Sequence, residues 1–232
     1  MPEDPAPAPR NVIVRAAHAS LHGDLTVPDG AAGIIVFAHG SGSGRHSPRN
    51  QRVASALVHA GFATLLFDLL TVAEEAAERY TAHLRFDIPL LADRLVGAIE
   101  WVRTQRDIGP LPIGLFGAST GAAAALIAAT RAHGIGAVVS RGGRPDLAKD
   151  ALREVGCPTL LIVGGHDPDV IELNRRALQQ MIAPAKLHIV PGAGHLFEEP
   201  GALDEVTHLA SSWFQEHLAH RPAQQPSAGS PG

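Results

Sequence analysis

Six short apolar runs recur along the chain: Gly33–Ala38, Ala63–Phe67, Ile113–Phe116, Ala137–Val139, Thr159–Val163 and Leu187–Val190. Runs of this length without polar alternation read as strands buried on both faces. The segments between them, about 49–60, 87–105, 119–132, 146–155, 170–182 and 201–219, read as helices. Strands alternating with helices need crossover connections, so the expected fold is α/β: a mostly parallel central sheet with helices on both faces. Ahead of the first run, Val12–Val14 and the alternating Leu21, Leu25 and Val27 read as two antiparallel strands before a turn at Pro28-Asp29-Gly30. No internal repeat is visible. In such sheets ligands bind beyond the carboxyl ends of the strands, so the loops after these runs are where chemistry is expected.

A chain of 232 residues, 45% hydrophobic and 18% charged, fits one folded domain, expected over 11–220. The ends, 1–10 and 221–232, are rich in Pro, Gly and small polar residues and are expected to be disordered. A formal net charge of −4 and the lack of a long basic run argue against nucleic acid as partner. Cys157 is the sole cysteine, which rules out an internal disulfide and a cysteine-rich metal site; no metal site is expected. No apolar run reaches the roughly 18 residues a membrane span needs, and the N-terminus has no secretory pattern, so a cytoplasmic protein without membrane contact is expected. Oligomeric state has no signature in the sequence.

The segment from Leu111 to Ile127 is a buried strand, a Gly117-Ala118-Ser119-Thr120-Gly121 turn and an alanine-rich helix. A serine on so sharp a strand-to-helix turn has its hydroxyl exposed, and the helix N-terminus aims N–H groups at any anion that forms beside it. Gly-x-Ser-x-Gly alone occurs by chance; the flanking strand and helix give it meaning. The loop His39-Gly40-Ser41-Gly42-Ser43-Gly44 follows the first apolar run and lets main-chain N–H groups approach a ligand. Ser41 is expected to supply half of an oxyanion hole and Thr120, the residue after the nucleophile, the other half. His39, Gly40 and Gly42 are expected to line the substrate site. A phosphate-binding loop is the competing reading, but neither Gly-x-Gly-x-x-Gly nor a following Lys-Ser/Thr is present.

Of the histidines that follow Ser119, only His195 lies in a strand-end loop, after Val190. His188 falls within a strand, and His208, His217 and His220 belong to the last helix or its end. His195 is therefore the expected general base. Gly165-His166-Asp167-Pro168-Asp169 offers two acids; Asp167 lies nearer the strand, while Asp169 precedes a helix expected from Val170 and fits an N-cap. The order Ser119, Asp167, His195 differs from that of chymotrypsin-like and subtilisin-like chains.

His39-Gly40, Gly117-Ala118-Ser119-Thr120-Gly121, Gly165-His166-Asp167 and Gly194-His195 together resemble an α/β-hydrolase, specifically the dienelactone-hydrolase-like branch, over about residues 11–220. Dienelactone hydrolases proper have cysteine at the nucleophile position; here it is Ser119. The resemblance implies cofactor-free hydrolysis of a carboxylic ester, small or short-acyl, possible for a lactone too. A thioesterase or acyl transferase would use the same residues, and a small-molecule-binding protein that keeps the fold without catalysis is the rival from another class.

No large cap domain is expected, because only Arg141-Gly142-Gly143-Arg144-Pro145 and one helical segment separate Ser140 from Val155. The connection from Asp68 to Phe86 is the longest and is expected to be a flexible pocket wall. Arg141 and Arg144, at the end of the strand beside the nucleophile strand, would suit a carboxylate on the substrate, unless Asp68, Glu74, Glu75 or Asp146 holds them in ion pairs.

Overall fold

The computed structural model describes residues 7–81 and 83–218. The expected disordered tail 221–232 and residues 1–6 lie outside the described residues. Arg10, placed by the sequence in the disordered end, already opens the first strand and pairs with Leu25 across it.

Among the described residues, eight strands form one sheet: β1 (Arg10–Ala16), β2 (Ala19–Thr26), β3 (Ile34–Ala38), β4 (Ala63–Phe67), β5 (Ile113–Ala118), β6 (Ile135–Arg141), β7 (Thr159–Gly164) and β8 (Ala185–Val190), in spatial order β1-β2-β4-β3-β5-β6-β7-β8. β2 runs antiparallel to β1 and β4; every other pairing is parallel. β3, β4, β5, β6 and β7 are buried along their whole length. β8 corrects the reading of its run as buried on both faces: it is the sheet's edge, and Lys186 on it is exposed.

The helices are α1 (Pro48–His59), α2 (Val72–Thr81), α3 (Ile88–Thr104), α4 (Thr120–Arg131), α5 (Pro168–Leu178) and α6 (Ala202–Leu218). Alternate strand residues choose the face. Val36, Leu115 and Val138 pack on α3 and α4 through Leu95, Ile99 and the alanines 123–125. Phe37, Phe116 and Val139 pack on α1 and α6 through Val53, Leu57, Val206 and Phe214. Full burial of a side chain such as Phe116 contributes about 1.5–3 kcal/mol, so two such layers hold the sheet rigid under its loops. The buried alanines of α4 let that helix lie close to β5 and α3, which fixes the direction of its N-terminus.

Three local expectations are corrected. The 68–86 connection is not one flexible loop: α2 and a 3-10 turn (Leu84–Phe86) occupy it. Thr71 and Glu74 close its N-terminus reciprocally, the Thr71 N–H donating to Glu74 Oε2 at 2.7 Å and the Glu74 N–H to Thr71 Oγ1 at 3.2 Å. The segment expected as a helix over 146–155 is a 3-10 stretch, Pro145–Arg153, kinked at Lys149. α5 begins at Pro168 rather than Val170, so Asp169 stands in its first turn and Asp167 takes the N-cap position.

Candidate active site

β5 ends at Ala118 and α4 begins at Thr120, leaving Ser119 alone to make the turn, at φ 50° and ψ −122°. A non-glycine residue at positive φ is strained and persists where its surroundings over-determine it. The surroundings here are main-chain bonds on both sides: the Ser119 N–H donates to Arg141 O at 3.2 Å, and Ser119 O accepts the Arg144 N–H at 3.1 Å. Gly121 is required by closeness, since a Cβ there would lie 2.2 Å from Ala38 O. A Cβ on Gly40 would lie 2.9 Å from the Ser119 Cβ, so the β3 loop runs directly against the turn.

The β7 and β8 loops are joined by main-chain bonds, from the Gly165 N–H to Val190 O at 2.8 Å and from the His166 N–H to Ala193 O at 2.9 Å. That join brings Asp167 to His195: the imidazole Nδ1 lies 2.6 Å from Asp167 Oδ2. Asp167 occupies the α5 N-cap without capping it, because its carboxylate is turned to the histidine. An Nδ1–H held by a carboxylate fixes the tautomer and leaves Nε2 free to accept a proton. The carboxylate is 17% exposed and the imidazole 42%, so the ring faces solvent while its partner is sheltered.

Gly142 is the hinge between the two halves. At φ +51°, it would place a Cβ 3.1 Å from His195 O and 3.7 Å from His195 Cε1, one residue after the carbonyl that holds Ser119. Its own N–H donates to Ile162 O at 2.7 Å, and Asn174 Nδ2 donates to Gly143 O at 3.0 Å. Neither the approach of Gly142 to His195 nor the part played by Asn174 is legible in the sequence, because both depend on contacts distant along the chain. Glu199 was missed too: its carboxylate accepts the Gly194 N–H at 2.9 Å, and that bond holds its pKa below the usual carboxylate value.

On the other side of Ser119, the Ser41 N–H donates to Thr120 Oγ1 at 3.1 Å. Ser41 and Thr120 are therefore adjacent, with the Ser41 N–H occupied by the Thr120 hydroxyl. Ser41 also opens a cleft of about 660 Å³ between the β3 and β4 loops, whose lining includes Gly42, Arg49, Asp68, Thr71 and Glu75. The side wall is thus the start of α2, not a loose loop. His39 borders this cleft, but both its ring nitrogens are engaged: Nδ1 with Gly40 O at 3.0 Å, and Nε2 accepting the Leu69 N–H at 2.9 Å. Burial pushes its pKa below the ordinary 6.5, against a smaller upward pull from the Gly40 bond. His39 ties the β3 loop to the β4 loop and has no free nitrogen for a ligand.

The two arginines expected to fork around a carboxylate part company. Arg144 is bound through Nε and Nη2 to both oxygens of Asp146, at 2.9 and 2.8 Å. Asp68 and Glu74 are taken by Arg45 and Arg94. Arg141 is the last residue of β6, is buried, and has no acidic partner among the described residues. Among those residues, no three His, Cys, Asp or Glu side chains cluster so as to hold a metal ion, and no helix is long and apolar enough to cross a membrane.

Residues 21–218 match the Dienelactone hydrolase family. A crystal structure of dienelactone hydrolase from Anabaena variabilis is similar to this chain, with 55% identity and a TM-score of 0.90, covering 92% of this chain and all of that one. Est1E from Butyrivibrio proteoclasticus shares the fold at 16% identity, with a TM-score of 0.75 over 90% of this chain and 99% of its own. A Mycobacterium tuberculosis protein named provisionally as a phosphoribosyl transferase is 56% identical over 216 residues, which are 93% of this chain and 48% of that protein. The chain thus spans about half the length of that relative. The fold, the open site and the family match agree: this chain belongs to the dienelactone hydrolase family and has the α/β-hydrolase fold.

Proposed function

We propose that the protein hydrolyses a carboxylic ester through an acyl-enzyme on Ser119. The observation that carries this reading is the strained Ser119 turn at the N-terminus of α4, held by the same 141–144 segment that touches His195. Ser119 Oγ attacks the ester carbonyl carbon while its proton passes to His195 Nε2. Asp167 keeps the imidazole in the required tautomer and stabilises its charged form. The Thr120 N–H stabilises the oxyanion, joined by the Ser41 N–H as it turns from Thr120 Oγ1, and collapse of the tetrahedral intermediate breaks the bond to the alcohol oxygen, which takes the proton from His195. Water then attacks the acyl-enzyme by the same route and releases the acid and Ser119. No cofactor takes part.

Among the described residues no cap covers the cleft beside Ser41, which favours small or short acyl groups over long lipid chains. The transferase name of the mycobacterial relative belongs to a chain about twice as long and is not carried over. The test is turnover of aryl esters of graded acyl length by the wild type and Ser119→Ala. Wild-type turnover, lost in a Ser119→Ala protein with an unchanged circular dichroism spectrum, is expected. Near-wild-type turnover by that variant would overturn the mechanism. Added alcohol or thiol separates hydrolysis from acyl transfer by the product formed.

A further inference from the structure

Little apolar surface holds α2 to the protein. Val72 and Tyr80 are 71% and 91% exposed, and among the described residues of the helix only Glu78 is buried. The enclosed Glu78 carboxylate gathers the turn that follows: Oε1 accepts the N–H groups of His83 and Leu84 at 2.8 and 2.7 Å, and Oε2 accepts the Arg85 N–H at 3.0 Å. The Arg85 side chain closes the pair, Nε donating to Glu78 Oε2 at 3.0 Å and Nη2 to Glu78 O at 2.8 Å.

A buried carboxylate costs desolvation, which these hydrogen bonds and the charge partner offset, and a guanidinium gripped at Nε and Nη2 has one orientation left to it. The remaining nitrogen, Nη1, is thereby set against the loop after β3: a Cβ on Gly42 would lie 3.7 Å from it. Arg85 lines, with Gly40, Ser41, Gly42 and Ser43, a cavity of about 10 Å³. A space of that size takes a single water at most, so Arg85 packs against the loop and does not face a ligand.

That loop is anchored at both ends. Gly40 O meets His39 Nδ1 at 3.0 Å and accepts the Ser43 N–H at 3.2 Å, and the Arg45 N–H donates to Asp68 Oδ1 at 2.9 Å. Between the anchors stand Ser41, whose N–H must turn from Thr120 Oγ1 to meet an oxyanion, and Gly42, at φ +69° and without a side chain to hold it. Arg85 is the side chain beside that stretch. The geometry points to Arg85, locked by Glu78, as a positioning residue for the Ser41 half of the oxyanion hole. It supports the loop as the Ser41 N–H turns, and its fixed positive charge favours the negative charge that forms at that N–H. This deepens the proposed function and rests on Ser119 as the nucleophile.

The experiment measures turnover of 4-nitrophenyl acetate by the wild type, Arg85→Met and Arg85→Lys, with active sites counted by exhaustive fluorophosphonate labelling. Arg85→Met is expected to lower kcat per labelled site about tenfold with KM changed by less than about twofold, and Arg85→Lys to recover part of the loss. Trifluoroacetophenone, to which Ser119 Oγ adds to leave an oxyanion, should bind Arg85→Met more weakly by a similar factor. A role confined to stability would lower Tm and the labelled fraction and leave both readouts unchanged per site. That result, a change confined to KM, or an Arg85→Lys as impaired as Arg85→Met would overturn the proposal.

Should Arg85→Met fail to fold, Glu78→Gln carries the test. It keeps one oxygen acceptor for the turn but loosens the guanidinium, so kcat per labelled site and ketone affinity should fall together by about threefold or more. Unchanged values in a folded Glu78→Gln contradict the proposal, and if neither variant folds the pair serves the fold and the proposal falls. Ester turnover indifferent to both substitutions removes this inference alone. A wild type that neither turns over esters nor takes a label on Ser119 removes the proposed function.

Discussion

The Ser41 N–H rests on Thr120 Oγ1 at 3.1 Å, so one proposed oxyanion donor is held by the side chain of the residue that supplies the other. The hydroxyl thereby sets where the Ser41 N–H stands before an oxyanion forms. Removing an oxyanion donor outright costs a factor of roughly 10² to 10³ in kcat; loosening one should cost less. Thr120→Val, which keeps the shape, is expected to lower kcat on an aryl acetate about tenfold with little change in KM, and Thr120→Ser to restore it. An effect confined to KM would assign the hydroxyl to substrate binding.

Asp167 stands at the N-cap of α5 without capping it. Its replacement should therefore affect chemistry more than stability. Asp167→Asn is expected to lower kcat by a factor on the order of 10³ to 10⁴ through the wrong imidazole tautomer, with Tm nearly unchanged. Asp169, exposed in the first turn, interacts with the helix dipole, worth about 0.3–1 kcal/mol. Asp169→Asn should keep its turnover. Steady-state kinetics and thermal melts of both variants check the pair, and a reversed pattern would move the role to Asp169.

Gly142 combines φ +51° with a close approach to His195. An alanine there costs about 1–2 kcal/mol from the left-handed backbone alone. Its Cβ, 3.1 Å from His195 O, also pushes on the loop that carries the base. Gly142→Ala is expected to lower Tm and to cut kcat tenfold or more, since small displacements of a catalytic group are expensive. A stability loss with unchanged kcat in the folded fraction would remove Gly142 from the positioning of His195.

His39 is buried and its pKa lies below the ordinary 6.5. Between those two values the unfolded chain binds a proton that the native protein refuses, so stability falls as pH drops through this window and levels off below the native pKa. Replacing the ring by Gln removes that proton-linked component. Between pH 7 and pH 5, Tm of the wild type should fall more steeply than Tm of His39→Gln. Parallel slopes would show that His39 is as easily protonated in the native state as in the unfolded chain.

Much of the architecture follows from local signals in the chain. The apolar runs Ile34–Ala38, Ala63–Phe67 and Thr159–Val163 are buried strands because they lack polar alternation, and the Ser119 turn was marked by a strand and a helix on either side. α2 escaped because the face made by Val72, Ala73, Ala76, Ala77 and Tyr80 is mostly alanine and stays exposed; the Thr71 and Glu74 capping pair was its legible sign. Asp169 fits an N-cap only if the helix starts at Val170; Pro168, a residue suited to the first helical position, moves the start of α5 forward and the N-cap to Asp167. The pairing of Asp167 with His195 was readable from chain order and strand-end position. Which arginine is free was not: the sequence offers both several acids, and only the fold puts Asp146 on Arg144 and, among the described residues, nothing acidic on Arg141.

The central claim is that Ser119 is the nucleophile, and its most direct test is peptide-mapped mass spectrometry after treatment with a fluorophosphonate. Such reagents phosphonylate a serine whose hydroxyl is activated by a neighbouring base and whose oxyanion site is formed. One adduct is expected, on the peptide bearing Ser119, forming slowly in Asp167→Asn and not at all in Ser119→Ala. An unmodified Ser119, or an adduct of equal yield in Ser119→Ala, would contradict the account.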